Sequence, residues 1–409
     1  MKLPAVLVPL RHRDFRLLLT GQTVSSFGNS ISNVAVPFQL LALGASPLQL
    51  GITIAIQTAS NVAFLLLGGA VADRIQRRTL ILASDALAGC VLATVAALSL
   101  SGALRVEHLY VAAAGLGAAE AFLFPAFTGI IAELVPADIL RAGNAARLLS
   151  RSGARILGPT IGGLVVAFVS PAAAFGIDAL TFLFSFGTLL LAHPDKRTVA
   201  ASTSIVADIR EGFGYVFRYR WLWTTTIYFM LVNIAYAGQS GVMTPLLVRD
   251  TLAGDARIFG FVNSAYGVGT IVAGIGVAQL TMRRPGRVMF AFELLAALAV
   301  VAVGLAPTLP VLLVAMVVMG VALASSTVIW QSLLQRLVPA HVLGRVTSID
   351  LLGNSVINPL APLIAAGLIG RVGPPGTFLV AGIYALVLVT IAVIASPLRT
   401  MEDAAFTAA

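Results

Sequence analysis

Glu120 lies near the middle of a long apolar run, in Gly117-Ala118-Ala119-Glu120-Ala121-Phe122. A carboxylate in such a setting is costly unless it is hydrated, paired or protonated. A group that moves between those conditions can carry a proton; a static partner for Arg151 or Arg155 is the competing reading. Arg147, Arg151 and Arg155 recur every fourth residue in a later apolar run, which places them on one helical face. Arg147 can snorkel to an interface. Arg155 sits two turns further on, roughly 12 Å away, where an arginine calls for a cavity or an acid. A third constellation is Gly68-Gly69-Ala70-Val71-Ala72-Asp73-Arg74-Ile75-Gln76-Arg77-Arg78, one acid and three arginines between two apolar runs. Asp73 can face a helix N-terminus, whose dipole favours an anion. Arg74, Arg77 and Arg78 can pair with acids on neighbouring helix ends, with Glu133 and Asp85 as candidates.

The elements that must position these groups are membrane helices. The 409 residues are 58% hydrophobic and only 11% charged, against about 25% charged in soluble domains. The net charge of +9 does not indicate nucleic acid, because the arginines form no single basic face and instead punctuate apolar segments at helix ends. The single cysteine, Cys90, allows no intramolecular disulfide. Met1 to Leu10 contains Pro4 and Pro9 and leads into Arg11-His12-Arg13-Asp14 without a cleavage site, so the first span is expected to be an uncleaved anchor.

Apolar runs bounded by Gly, Pro and charge predict twelve spans, at about 17–43, 50–72, 79–100, 108–132, 145–169, 172–192, 221–247, 258–281, 288–305, 310–334, 345–369 and 376–397. With the N-terminus placed inside, nineteen of the 26 Lys and Arg fall on the inner side. Arg105, Arg249, Arg257 and Arg371 fall outside, and the remaining three are those of the fifth span. This asymmetry predicts that both termini are cytoplasmic. The polar connection from His193 to Arg220 reads as a cytoplasmic linker with an amphipathic surface helix over 205–219. The expected organisation is therefore 1–193, an N-terminal six-helix half; 194–220, the linker; and 221–409, a C-terminal six-helix half. An internal repeat supports the division. Leu134-Val135-Pro136-Ala137 recurs as Leu337-Val338-Pro339-Ala340, Pro159 maps to Pro362, and Arg77-Arg78 recurs as Arg283-Arg284.

Uncharged polar residues mark a candidate cavity. Gln22, Ser26, Asn29 and Asn33 form a stripe on the first helix, and Asn233, Tyr236 and Gln239 lie on the seventh. Gln57 and Asn61, Asn263 and Tyr266, and Trp330 and Gln331 fall on the second, eighth and tenth. Helix–helix hydrogen bonding is the alternative for each. Gly158 and Gly162, one turn apart with Pro159 and Gly163, form a small-residue face that allows close backbone approach. Arg147 maps to Asp350 in the second half, so the two positions carry opposite charges.

The order Gly-x-x-x-Asp-Arg-x-x-Arg-Arg in Gly69 to Arg78 resembles the signature loop of the major facilitator superfamily, between its second and third helices. The resemblance extends from Asp14-Phe15-Arg16 to the last span. It implies an all-α polytopic membrane protein with twelve transmembrane helices in two pseudo-symmetric six-helix halves. It also implies that the loop of Gly69, Asp73, Arg74, Arg77 and Arg78 latches the cytoplasmic side. Gln76 stands where the family has Gly, and the second copy carries Gln279 where Asp73 maps. Gly158-Pro159-Thr160-Ile161-Gly162-Gly163 resembles a motif of facilitator-type exporters. Phe15-Arg16-Leu17-Leu18 and Leu134-Val135-Pro136 are similar to bacterial drug exporters and to the enterobactin-exporter-like branch. The helices of Asp85, Asp178 and Glu293 are peripheral in the superfamily, which implies structural roles for these acids. The fourth helix has Ala112, Ala113 and Ala114 where many proton-coupled antiporters carry an arginine.

There is no Gly-x-x-x-x-Gly-Lys-Ser/Thr loop, no His-Glu-x-x-His and no Gly-x-Ser-x-Gly in the chain, and the four histidines lie far apart. An enzyme, a metal site and an ATP site are therefore not expected. The expected activity is proton-driven export of a small amphipathic, drug- or siderophore-like molecule across a bacterial plasma membrane by alternating access, with Glu120 carrying the proton. No cofactor beyond the proton gradient and no nucleic acid is implied, and a monomer is the family default. The alternative is an uptake carrier or lipid-moving facilitator of the same fold.

Overall fold

The computed structural model describes residues 5–72, 75–193, 213–277, 279 and 282–399. Among the described residues, twelve long helices position the polar and charged side chains. They are α1 (Arg13–Ala42), α2 (Pro47–Ala72), α3 (Arg77–Leu100), α4 (Val106–Leu134), α5 (Leu140–Phe168), α6 (Pro171–Leu190), α7 (Arg220–Tyr236), α8 (Ala256–Val277), α9 (Pro285–Leu305), α10 (Leu309–Leu337), α11 (Ala340–Val356) and α12 (Leu360–Ala395). Their ends follow local chemistry. Pro171 opens α6 at a position needing no N–H, and the Ser170 hydroxyl accepts from the Ala173 N–H at 3.1 Å. Pro310 likewise opens α10.

Two helices are interrupted, each at prolines. Beyond α7, π-helical turns at Gln239–Met243 and Leu247–Thr251 flank Thr244–Leu246. Pro245 has no N–H for the carbonyl one turn earlier, so the ladder is disturbed on both sides of it. In α12, Gly373 has φ 70°, ψ 174° just before Pro374-Pro375, and two helical rods meet there. Only glycine takes that backbone conformation without a steric penalty.

Length and apolarity identify eight candidate spans among the described residues, where the sequence reading expects twelve. The eight do not include α1, α4 or α5. They count Val342–Ala395 once, although its 54 residues exceed by far the roughly 20 that one crossing needs. α1 and α5 are diluted by the polar stripe and the arginines that drew attention to them. Of the expected surface helix, 213–218 is helical, and 205–212 lies outside the described residues.

Contacts group the chain into two compact units: Met1–Ala201 with Gly254–Ser264, and Ser202–Ala253 with Ala265–Ala409. In the first, α1 packs along α5 and α6, α2 along α4, and α3 against α4 and α6. Phe15, Leu18, Ile81, Ile130, Ile131 and Leu189 form its buried core at the end of the unit that carries the Arg77 loop. In the second, α9 packs against α10 and α12, and α7 against α11 and α12. Because lipid is as apolar as leucine, such contacts depend on close packing rather than hydrophobic burial. Gly117 of α4 lies against the Gln57 carbonyl of α2, and Gly320 of α10 lies against the Tyr266 carbonyl of α8; any Cβ would collide with them. These two glycines are 203 residues apart, the offset of the Leu-Val-Pro-Ala repeat.

Candidate functional site

The charged loop is anchored from its α3 side. Arg77, in the first turn of α3, donates from Nη1 to Glu133 Oε1 at 2.6 Å and to the Gly129 carbonyl at 3.0 Å. The pair ties the start of α3 to the end of α4. Arg78 does not reach Asp85; it donates to the Leu189 and Leu190 carbonyls at 3.2 and 2.8 Å, capping the C-terminus of α6. Gly69 is in the last turn of α2. Asp73 and Arg74 lie outside the described residues.

The small-residue face of α5 is used on two sides. A Cβ at Gly158 would meet Ser30, and one at Gly162 would meet Ile31, both on α1. On the other side Gly163 lies against the Ala256 carbonyl, and Gly260 against the Pro159 carbonyl. Thr160 Oγ1 and Ser264 Oγ are 2.7 Å apart, and the Ser264 hydroxyl donates to the Ile156 carbonyl at 2.5 Å. Pro159 does not break α5, which is continuous from Leu140 to Phe168.

The α1 stripe divides. Gln22 is buried; its amide donates to Ser185 Oγ at 2.9 Å and makes a long 3.5 Å contact with Asp85 Oδ2, which also accepts from Ser185 at 2.7 Å. Gln22 thus joins α1 to α3 and α6 instead of forming part of an open stripe. The Ser26 hydroxyl turns back to the Gln22 carbonyl. Asn29 and Asn33 remain exposed. Exposed with them in the same unit are Glu120 of α4 and Arg151 and Arg155 of α5, while Arg147 stacks its guanidinium 4.5 Å from the Phe127 ring centroid. Arg151 lies near enough for its charge to act on Glu120, yet the two form no direct ion pair. α5 is bound to α1 beside them through Thr23 Oγ1 and Ser150 Oγ, 2.7 Å apart. An acid, two arginines and two amides left open in membrane helices require water or a polar ligand, because hydrocarbon cannot satisfy them.

In the second unit the polar candidates hold one another. Asp350 accepts from Thr226 Oγ1 at 3.2 Å and from Trp330 Nε1 at 3.1 Å, so both of its oxygens are engaged on α7 and α10. Asn233 donates to Asn354 Oδ1 at 3.2 Å, and Asn354 donates to the Asp350 carbonyl at 2.8 Å. Gln239 is buried and donates to the Ala235 carbonyl at 3.3 Å. Asn354 was not singled out in the sequence, although it lies one turn from Asp350 on the same face. Asp178 and Glu293, each about fully buried, also pair with neutral groups; Glu293 accepts from Tyr228 at 2.9 Å.

Residues 5–409 match the transmembrane secretion effector family. The chain belongs to that family, a branch of the major facilitator superfamily. It is 26% identical over 401 residues to the multidrug efflux pump Tap of Mycolicibacterium fortuitum, covering 94% of this chain and 96% of that one. It is 25% identical over 373 residues to the enterobactin exporter EntS of Escherichia coli O1:K1 / APEC, covering 88% and 86%. Among solved structures, a POT family transporter bound to a thioalcohol-conjugated peptide aligns with TM-score 0.76 at 15% identity, over 95% and 97% of the two chains. A bacterial homologue of the human lysosomal transporter Spinster aligns with TM-score 0.72 at 15% identity, over 100% and 99%. At that identity the likeness establishes the fold. This family member is accordingly a multi-pass membrane transporter, not an enzyme, with drug and siderophore exporters among its relatives.

Proposed function

We propose that this transporter exports a small amphipathic molecule from the cell by proton-coupled alternating access. The observation that carries the reading is the set of groups left exposed in the first unit: Glu120, with Arg151 nearby, Arg155, Asn29 and Asn33. A carboxyl with an arginine in range but not bonded can exchange a proton, a salt bridge and a ligand without dismantling a packed core. The names of the exporter relatives favour outward transport. In this reading the halves 1–193 and 221–409 move about the cavity, joined by the linker 194–220, and both termini are cytoplasmic in a bacterial plasma membrane. The Gly69–Arg78 loop latches the cytoplasmic side, with Asp73 as the acid of the latch. Asp350, Asn233 and Gln239, bonded within the second unit, would join the cavity only on exchanging those partners as the halves move. The proton gradient is the drive, no cofactor takes part, and the monomer is the working unit.

The test is efflux of a panel of amphipathic dyes from energised cells and inverted vesicles, with and without a protonophore, comparing wild type with Asp73→Asn and Glu120→Gln. Protonophore-sensitive efflux that is lost in both variants is expected. Efflux lost only in Asp73→Asn removes Glu120 from the coupling role. Accumulation of dye by cells, with efflux absent, turns the reading into uptake.

A further inference from the structure

The two copies of the charged loop have diverged in sign. In the first unit Arg77 at the start of α3 meets Glu133 at the end of α4. The repeat aligns Glu133-Leu134-Val135-Pro136 with Arg336-Leu337-Val338-Pro339, so the position of Glu133 is taken by an arginine. Arg77-Arg78 align with Arg283-Arg284, and Arg287 follows one turn into α9. α9 and α10 pack against each other. Where the first unit has a neutralised pair, the second has four arginines, all exposed. Arg284 and Arg336 engage neighbours of their own, which leaves Arg283 and Arg287 as the arginines of this end that no acid pairs among the described residues. An apolar stripe begins at the same place. Leu294 and Leu298 of α9, seven and eleven residues beyond Arg287, share its face and are 42% and 48% exposed. Eleven residues of helix rise roughly 16 Å, about the depth of one leaflet's hydrocarbon.

A basic end joined to an exposed apolar stripe one leaflet deep has the shape and charge of an anionic phospholipid. We infer that Arg283 and Arg287 bind the phosphodiester headgroup of an anionic lipid, whose chain lies along Leu294 and Leu298. The second copy of the loop is then a lipid anchor, and only the first retains the charges of a latch. That the lipid belongs to the cytoplasmic leaflet rests on the orientation proposed above; binding itself does not.

The experiment uses the full-length protein in neutral detergent, loaded with phosphatidylglycerol or phosphatidylcholine, and measures retained lipid by native mass spectrometry. Wild type is expected to retain phosphatidylglycerol over phosphatidylcholine. Arg283→Gln with Arg287→Gln should weaken retention roughly ten- to thirty-fold. Arg283→Lys with Arg287→Lys should keep most of it, which separates loss of charge from loss of folding. Arg105→Gln with Arg371→Gln removes as much charge elsewhere and should change nothing. Equal retention of the two lipids, or equal loss in the two glutamine pairs, overturns the assignment. Displacement by millimolar inorganic phosphate also overturns it, making the cluster a site for a free anion. No transport is read, so failure of the exporter reading leaves this result intact.

Discussion

Replacing Glu133 by Gln removes the charge that Arg77 neutralises while keeping a side chain of nearly the same shape. The pair is 2.6 Å apart, with the two side chains 27% and 10% exposed, and Arg77 also holds the Gly129 carbonyl. A charge-assisted hydrogen bond contributes about 1.5–3 kcal/mol, and partial exposure of Arg77 moves the figure to the low end. Glu133→Gln should therefore cost about 1 kcal/mol. Arg77→Ala should cost about 2 kcal/mol, because it strands a nearly buried carboxylate. The double variant should cost about as much as Arg77→Ala alone, a coupling of about 1 kcal/mol. Thermal unfolding of the full-length protein in detergent reads this cycle; for a chain this long, about 1 kcal/mol corresponds to roughly 1–2 °C in midpoint. Strictly additive shifts would refute the idea that this contact joins α3 to α4 energetically. Gly129 provides an independent perturbation. A Cβ there would collide with the Arg77 guanidinium, so Gly129→Ala should displace Arg77 with both charges still present. An unchanged midpoint in that variant would show the geometry to be wrong.

Gly117→Leu and Gly320→Leu should each strongly reduce the yield of monodisperse protein on gel filtration, since each side chain would drive into a backbone carbonyl of the neighbouring helix; normal yield from both would refute the close crossings. Ser185→Ala leaves the buried Asp85 with only its long contact to Gln22 and should cost about 1–3 kcal/mol, read as a lowered midpoint. Ser170→Ala should cost about 1 kcal/mol through loss of the α6 cap, measured in the same way. Glu120→Gln, at an exposed position, should leave the midpoint within about 1 °C of wild type while abolishing protonophore-sensitive efflux, so stability and transport separate at this residue. A large fall in its midpoint would instead mark Glu120 as a structural acid.

Membership of a transporter family was legible in a short loop and in composition. Chemistry local to the chain explains why. Apolar runs make membrane helices whatever surrounds them, and Pro171, Pro310 and Gly373 end or divide helices through their own backbone constraints. The Glu133 contact was within reach for a similar reason, since the loop is short and few acids lie at the adjoining helix ends. The repeat, too, is a property of sequence, and the structure adds Gly117 and Gly320 to it at the same offset.

What the sequence by itself determined, then, is the all-helical membrane class, most helix boundaries and the residues polar enough to matter. Which partners those residues have was decided only by tertiary structure. Gln22 and Asn29 are seven residues apart on one stripe, yet Gln22 is enclosed by Ser185 and Asp85 from α6 and α3 while Asn29 stays open. Asp350, read as a charge opposite Arg147, is held by Thr226 and Trp330 from two other helices. Arg78 chose carbonyls at the end of α6, over a hundred residues away, rather than Asp85 within its own helix. A helical period states which side chains share a face. The rotation of that face toward a neighbour depends on packing by residues distant in the chain, and in lipid, where burial offers no preference among apolar faces, close contacts at Gly117, Gly158 and Gly320 set it.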